Sequence, residues 1–160
     1  MERALVPHLD AAYNLARWLT RSSQEAEDAV QEAFVRAVQR FDGFRGEDGR
    51  PWLLAIVRNA CYDWMKKNVP AQELLDTVDN ALDPEALQIR ASDGELVRGE
   101  LERLPVQYRE VLVLRELEGM SYREIAQVTN VPVGTVMSRL ARGRAALRSG
   151  LAGAMRKEKK

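Results

Sequence analysis

The chain has 160 residues, 24 basic and 24 acidic side chains, one histidine, one cysteine and 46% hydrophobic content. That content permits packed cores, and the dominance of Ala, Leu, Arg, Glu and Gln favours helix over strand. The lone Cys61 excludes an intramolecular disulfide framework and a cysteine-rich zinc site.

Leu5, Leu9, Ala12, Ala16 and Leu19 recur at helical spacing and predict a first helix ending near Arg21. Ser22-Ser23-Gln24-Glu25 has the form of a capping box. It opens a second helix whose apolar stripe is Ala26, Ala29, Val30, Ala33, Phe34, Ala37, Val38 and Phe41. The opposite face carries Glu27, Asp28, Gln31, Glu32, Arg36 and Gln39, with Val35 exposed among them. A glycine-rich loop, Asp42 to Arg50, leads to Pro51, which suits the first turn of a helix because its missing N–H is no loss there. The helix it opens runs to about Asn68, with Leu53, Ile56, Val57, Ala60, Cys61 and Trp64 inward. Ala55, Arg58, Asn59, Tyr62, Asp63, Lys66 and Lys67 are expected outward.

Pro70, Pro84, Asp76, Asp79 and Asp83 interrupt long periodicity and mark a linker. Ser92 to Glu95 is a second capping-box pattern, opening a helix through Leu104. Pro105 restarts the chain into a helix over 106–118 that Gly119 ends. Ser121-Tyr122-Arg123-Glu124 caps a short helix with Ile125, Ala126 and Val128, and Thr129 to Pro132 form a tight turn in which Asn130 tolerates the left-handed conformation. In the helix that follows, Val133, Val136, Leu140, Gly143 and Leu147 share the inner face. A short helix, a tight turn and a second helix make a helix-turn-helix. The expected fold class is therefore all-α, with two small helical domains joined by a linker and a four-helix, helix-turn-helix C-terminal domain. The boundaries fall at 1–68, 69–94, 95–150 and a basic tail over 151–160.

Charge follows the same division. Residues 1–67 carry 10 basic and 10 acidic groups, residues 68–104 carry 3 and 9, and residues 105–160 carry 11 and 5. A neutral total thus hides an acidic middle and a basic end, which suits polyanion binding. The inner stripe of the last helix leaves Thr135, Ser138, Arg139 and Arg142 on one side, flanked by Arg144 and Arg148. An α-helix fits the DNA major groove, where arginine can bond guanine bidentately and Ser or Thr can reach bases or phosphates. Arginines beyond base reach anchor the helix on phosphates.

Three stretches in order carry a resemblance. Ala26 to Ala37, Trp52 to Trp64, and Leu104 to Val111 continued by Ser121 to Ala126 and Val133 to Leu140, together resemble the extracytoplasmic-function (ECF) sigma factors of bacterial RNA polymerase. The resemblance implies a transcription initiation factor with core RNA polymerase and promoter DNA as partners, an anti-sigma factor as regulator, and no cofactor. It assigns Asp28, Gln31, Glu32 and Val35 to the polymerase. It assigns Phe44, Arg58, Asn59, Tyr62, Lys66 and Lys67 to the minus-ten element, and Thr135, Ser138, Arg139, Arg142 and Arg144 to the minus-thirty-five element. Asn59 has both donor and acceptor for the edge of an extruded base, and Arg58, Lys66 and Lys67 suit strand phosphates. Trp52 and Trp64 read as core, and Asp63 as a positioning partner of Lys66 or Lys67. Met137 and Ala141 stand where family members often carry basic or polar residues, and Gly143 inside the helix suggests close packing.

An enzyme is disfavoured: His8 is the only histidine, and no phosphate-cradling loop, nucleophile elbow or metal-spaced carboxylate set is present. No apolar run approaches the ~20 residues of a membrane span, and Met1 to His8 lacks a signal-peptide stretch; the expectation is a cytoplasmic protein without membrane insertion. Two alternatives stay open on residues alone. A response-regulator-type factor would need an N-terminal α/β receiver where residues 1–68 show helical periodicity, and a decoy would bind polymerase or anti-sigma factor without reading DNA.

Overall fold

The computed structural model describes residues 2–45, 48–70 and 94–158. Among them are helices α1 (Glu2–Leu5), α2 (Leu9–Thr20), α3 (Ser23–Gln39), α4 (Gly49–Asn68), α5 (Gly94–Arg103), α6 (Val106–Leu112), α7 (Tyr122–Thr129) and α8 (Val133–Glu158). Short 3₁₀ turns at Val6–His8 and Phe41–Gly43 and a π turn at Val113–Leu117 complete the described secondary structure, which is all-α. The expected linker from 71 onward and the Ser92 cap lie outside the described residues.

Local chemistry accounts for most boundaries. The predicted first helix is split into α1 and α2, because Pro7 sits in a 3₁₀ turn between them. Ser22 caps α3, its hydroxyl accepting from the Glu25 amide at 3.3 Å. Asp48 does the same for α4, accepting from the Arg50 amide at 2.9 Å. At α7 both arms of the capping box form: the Glu124 amide donates to Ser121 Oγ at 3.1 Å, and the Ser121 amide donates to Glu124 Oε1 at 3.0 Å. Asn130 follows at φ 57° and turns the chain into α8. The Ser121 backbone hydrogen bond leads the effects that hold the Glu124 carboxyl below its usual 4.5. A lowered folded-state pKa means that this stabilisation is present above pH 4.5 and lost as pH falls through the lowered value. Ser121→Ala is expected to cost about 1 kcal/mol in urea unfolding at neutral pH.

In the N-terminal half α2, α3 and α4 pack on one another. The inner stripe of α3 is buried at Ala26, Ala29, Ala33 and Ala37, small residues that let its neighbours come close. Two expectations need correcting here. Val38 is exposed and Trp64 only half-buried, although their neighbours Ala37 and Met65 are buried. Trp52 is likewise half-buried, in a trio with Phe41 and Phe44.

The C-terminal half is four helices, with α5, α6 and α7 each laid against α8. Gly143 marks close packing: a Cβ there would lie 3.1 Å from Leu112 Cδ1 and 3.3 Å from Tyr108 Cβ. Helix α8 runs unbroken to Glu158, so residues 151–158 are helical where a tail was expected.

The two halves do not stand apart. Helix α4 packs on α7 and α2 on α6, and the apolar core is continuous across them.

Candidate nucleic-acid interface

The helix-turn-helix presents α8 with Val136, Leu140, Gly143 and Leu147 buried. Among the expected readers, Arg142 is exposed, while Thr135, Ser138 and Arg139 are half-buried. Ser138 Oγ donates to the Thr135 carbonyl at 3.2 Å, a local bond that a base or phosphate could replace. Arg144 differs from expectation. Its Nη2 and Nε reach Glu116 Oε1 at 2.9 and 3.2 Å, so its charge is tied to the segment after α6. This is a partly exposed pair of modest strength that DNA phosphate could outcompete.

On the N-terminal half, Asn59, Lys66 and Lys67 are exposed along α4. Phe44 is half-buried, its ring 5.0 Å from Trp52 and 5.6 Å from Phe41, so it walls the region between loop and helix rather than projecting freely. Asp63 pairs with Arg36 at 3.7 Å, not with the neighbouring lysines. On the outer face of α3, Asp28, Gln31, Glu32 and Val35 are all exposed, Val35 to 55%. Glu32 accepts from Arg36 at 2.6 Å one turn on.

Arg58 and Tyr62 were expected outward and are not. The Arg58 guanidinium donates from Nε to Glu110 Oε2 at 2.8 Å and from Nη2 to Oε1 at 3.0 Å. This is a two-pronged pair with the opposite half, in which the Glu110 side chain is 0% exposed and that of Arg58 15%. The guanidinium also lies over the Tyr62 ring, 4.1 Å from its centroid. Burial disfavours the Arg58 charge, but the Glu110 hydrogen bonds and charge outweigh it and hold the group above its usual value. Burial, with Glu110 adding, raises the Tyr62 phenol, whose oxygen has no hydrogen bond of good geometry. The same two causes push the Cys61 thiol up to about 12, which makes it inert.

Further polar contacts missed at the sequence level join the halves. Buried Arg109, on α6, donates to the Trp18 carbonyl at 2.8 Å, to Leu19 at 3.4 Å, to Leu104 at 2.7 Å and to Glu102 at 3.2 Å. It thereby satisfies carbonyls at the ends of both α2 and α5, which would otherwise be orphaned. Burial, then the nearby Arg21 charge, pulls its guanidinium down to about 10. Asn14 Nδ2 donates to Glu118 Oε1 at 2.6 Å, and Arg50 reaches the Glu118 carbonyl at 3.1 Å and Glu124 at 3.5 Å. A signal for this seam was available. Arg109 and Glu110 stand three and four residues after Val106 and the same distances before Val113, which places both charges on the inner face of α6.

Residues 5–69 match the family Sigma-70 region 2, and residues 95–147 match Sigma-70, region 4. The chain is 34% identical over 151 residues to the ECF RNA polymerase sigma factor SigE of Mycolicibacterium smegmatis, covering 91% of this chain but 59% of that protein. It is 32% identical to the ECF RNA polymerase sigma factor SigW of Bacillus subtilis, covering 89% of this chain and 83% of that one. The fold is similar to that of the sigma factor RpoE from Bartonella quintana in complex with the anti-sigma factor NepR, with a TM-score of 0.73 at 28% identity over 94% and 96% of the two chains. It is also similar to CnrH in complex with the cytosolic domain of CnrY, with a TM-score of 0.68 at 29% identity over 94% and 86%. With both regions matched in order and relatives aligned over most of its length, the chain belongs to the ECF RNA polymerase sigma factors.

Proposed function

We propose that this chain carries core RNA polymerase to specific promoters and is released for that task from an anti-sigma factor in the cytoplasm. In this reading the outer face of α3, at Asp28, Gln31, Glu32 and Val35, docks on the polymerase. The α8 face with Thr135, Ser138, Arg139, Arg142 and Arg144 reads the minus-thirty-five element. Asn59, Lys66 and Lys67, with Phe44 walling the site, meet the minus-ten element. The domain division at 1–68, 69–94 and 95–150 assigns one promoter element to each folded half. The observation that carries the reading is the pairing of a helix-turn-helix face bearing Arg139 and Arg142 with a separate α4 face bearing Asn59 and two lysines.

Arg58 and Tyr62 enter differently from expectation. In the closed arrangement both are held against Glu110 between the halves. They serve the minus-ten element only when α4 separates from α6, and Glu110 and strand phosphates then compete for one guanidinium.

The variants Arg142→Ala and Asn59→Ala separate the two faces. Arg142→Ala is expected to lower discrimination at one minus-thirty-five position by roughly 10-fold or more, as loss of a bidentate base contact does. Asn59→Ala is expected to leave duplex binding of the holoenzyme near wild type while permanganate reactivity of the opened strand falls several-fold. Holoenzyme whose promoter selection and opening are unchanged in both variants would remove these site assignments.

A further inference from the structure

The outer surface of α8 is not uniformly polar. In its first two turns two large apolar side chains are open to solvent, Val133 at 40%, where the inner face was expected, and Met137 at 52%. They are four residues apart, so they lie one above the other on the same side of the helix. With the buried stripe at Val136, Leu140, Gly143 and Leu147 facing in, the crest of α8 is built from Gly134, Ser138, Ala141 and Ala145. Met137 flanks that crest on one side, two turns ahead of Arg144, which is paired with Glu116, and Thr135, Arg139 and Arg142 flank it on the other. A crest of small residues lets the backbone sit deep, and in the first turns of α8 one flank is apolar while the other can donate hydrogen bonds.

In the major groove, each base pair shows its own pattern of donors and acceptors, and thymine alone adds a methyl group. We propose that Met137, supported by Val133, is a specificity-determining residue that covers the C5-methyl group of a thymine in the minus-thirty-five element. The thioether side chain is flexible and polarisable and adapts to such a contact. Cytosine at the same place presents an amino donor instead, and an apolar cover would leave that donor unpaired. The proposal rests on the reading of α8 as the minus-thirty-five helix. It adds to that reading a thymine on the strand opposite the one that Arg139 and Arg142 approach.

The test uses the full chain assembled with core polymerase. A promoter library randomised over the minus-thirty-five element is selected by the holoenzyme, and each thymine of the selected element is then replaced singly by deoxyuridine, which removes only the methyl group. At one thymine the wild-type holoenzyme is expected to lose roughly fourfold in affinity, which corresponds to the ~0.8 kcal/mol of one buried methyl group. Met137→Ala is expected to bind the thymine and uracil promoters equally, and Met137→Leu to restore the preference. An exposed side chain is chosen, so the variants keep the fold. A selected element in which uracil is tolerated at every thymine overturns the thymine contact and leaves the minus-thirty-five reading standing. So does a uracil penalty that persists undiminished in Met137→Ala. Selection that recovers no minus-thirty-five preference at all overturns both.

Discussion

Removal of the Arg58 side chain is expected to open the seam between the two halves at a cost of about 3–5 kcal/mol to their docking. Arg58 is the two-pronged partner of Glu110, whose side chain is 0% exposed. Without the guanidinium, a buried carboxylate has no counter-charge, and breaking one side of such a pair is far more costly than its net worth when intact. Separation of α4 from α6 returns Glu110 to water, so the loss takes the form of domain opening before unfolding. Small-angle scattering of Arg58→Ala is expected to show a larger radius of gyration than wild type. The double variant Arg58→Met/Glu110→Leu, which replaces the ion pair by apolar volume, is expected to return to the compact radius. An Arg58→Ala protein as compact as wild type would show that the pair does not hold the seam.

Arg109→Met is expected to lose about 4 kcal/mol of unfolding free energy, read from urea denaturation followed by helical circular dichroism. Arg109 donates to carbonyls of Trp18, Leu19, Glu102 and Leu104, which belong to two helix ends in two halves of the chain. Each carbonyl left buried and unbonded costs about 1–3 kcal/mol, and partial relaxation limits the sum. Arg109→Lys is expected to recover less than half of the loss, because a single ammonium cannot fork between carbonyls on opposite sides. Wild-type stability in either variant would contradict this account of how α2 and α5 are terminated. The contrast with Arg58 is instructive. Arg58 meets one charged partner across the seam, whereas Arg109 serves backbone carbonyls of both halves.

What was legible in the sequence was what depends on neighbours along the chain. The Ser22 and Ser121 caps, the Asn130 turn and the alanine stripe of α3 all arise from spacings of one to four residues, and all are found. The helix-turn-helix and the exposed set Asp28, Gln31, Glu32 and Val35 follow from the same periodicity. The docking of the halves has no such signature, since Arg58 and Glu110 are 52 residues apart and Arg109 and Trp18 are 91. Helical periodicity places Arg58 and Asn59 on one outward side, yet they differ by a 100° turn of the helix. That turn sends Arg58 into the seam and leaves Asn59 in solvent. Arg144 shows the same limit on a smaller scale: its flank of α8 was readable, but its pairing with Glu116 was not.

Run-off transcription from a library of bacterial promoters, with core RNA polymerase in the presence and absence of this chain, measures the proposed activity most directly. Transcripts starting at defined sites only when the chain is added are the expected result, with minus-ten and minus-thirty-five elements shared among those promoters. Specific duplex binding without polymerase and no new transcripts would contradict it. Absence of both activities would leave only the decoy.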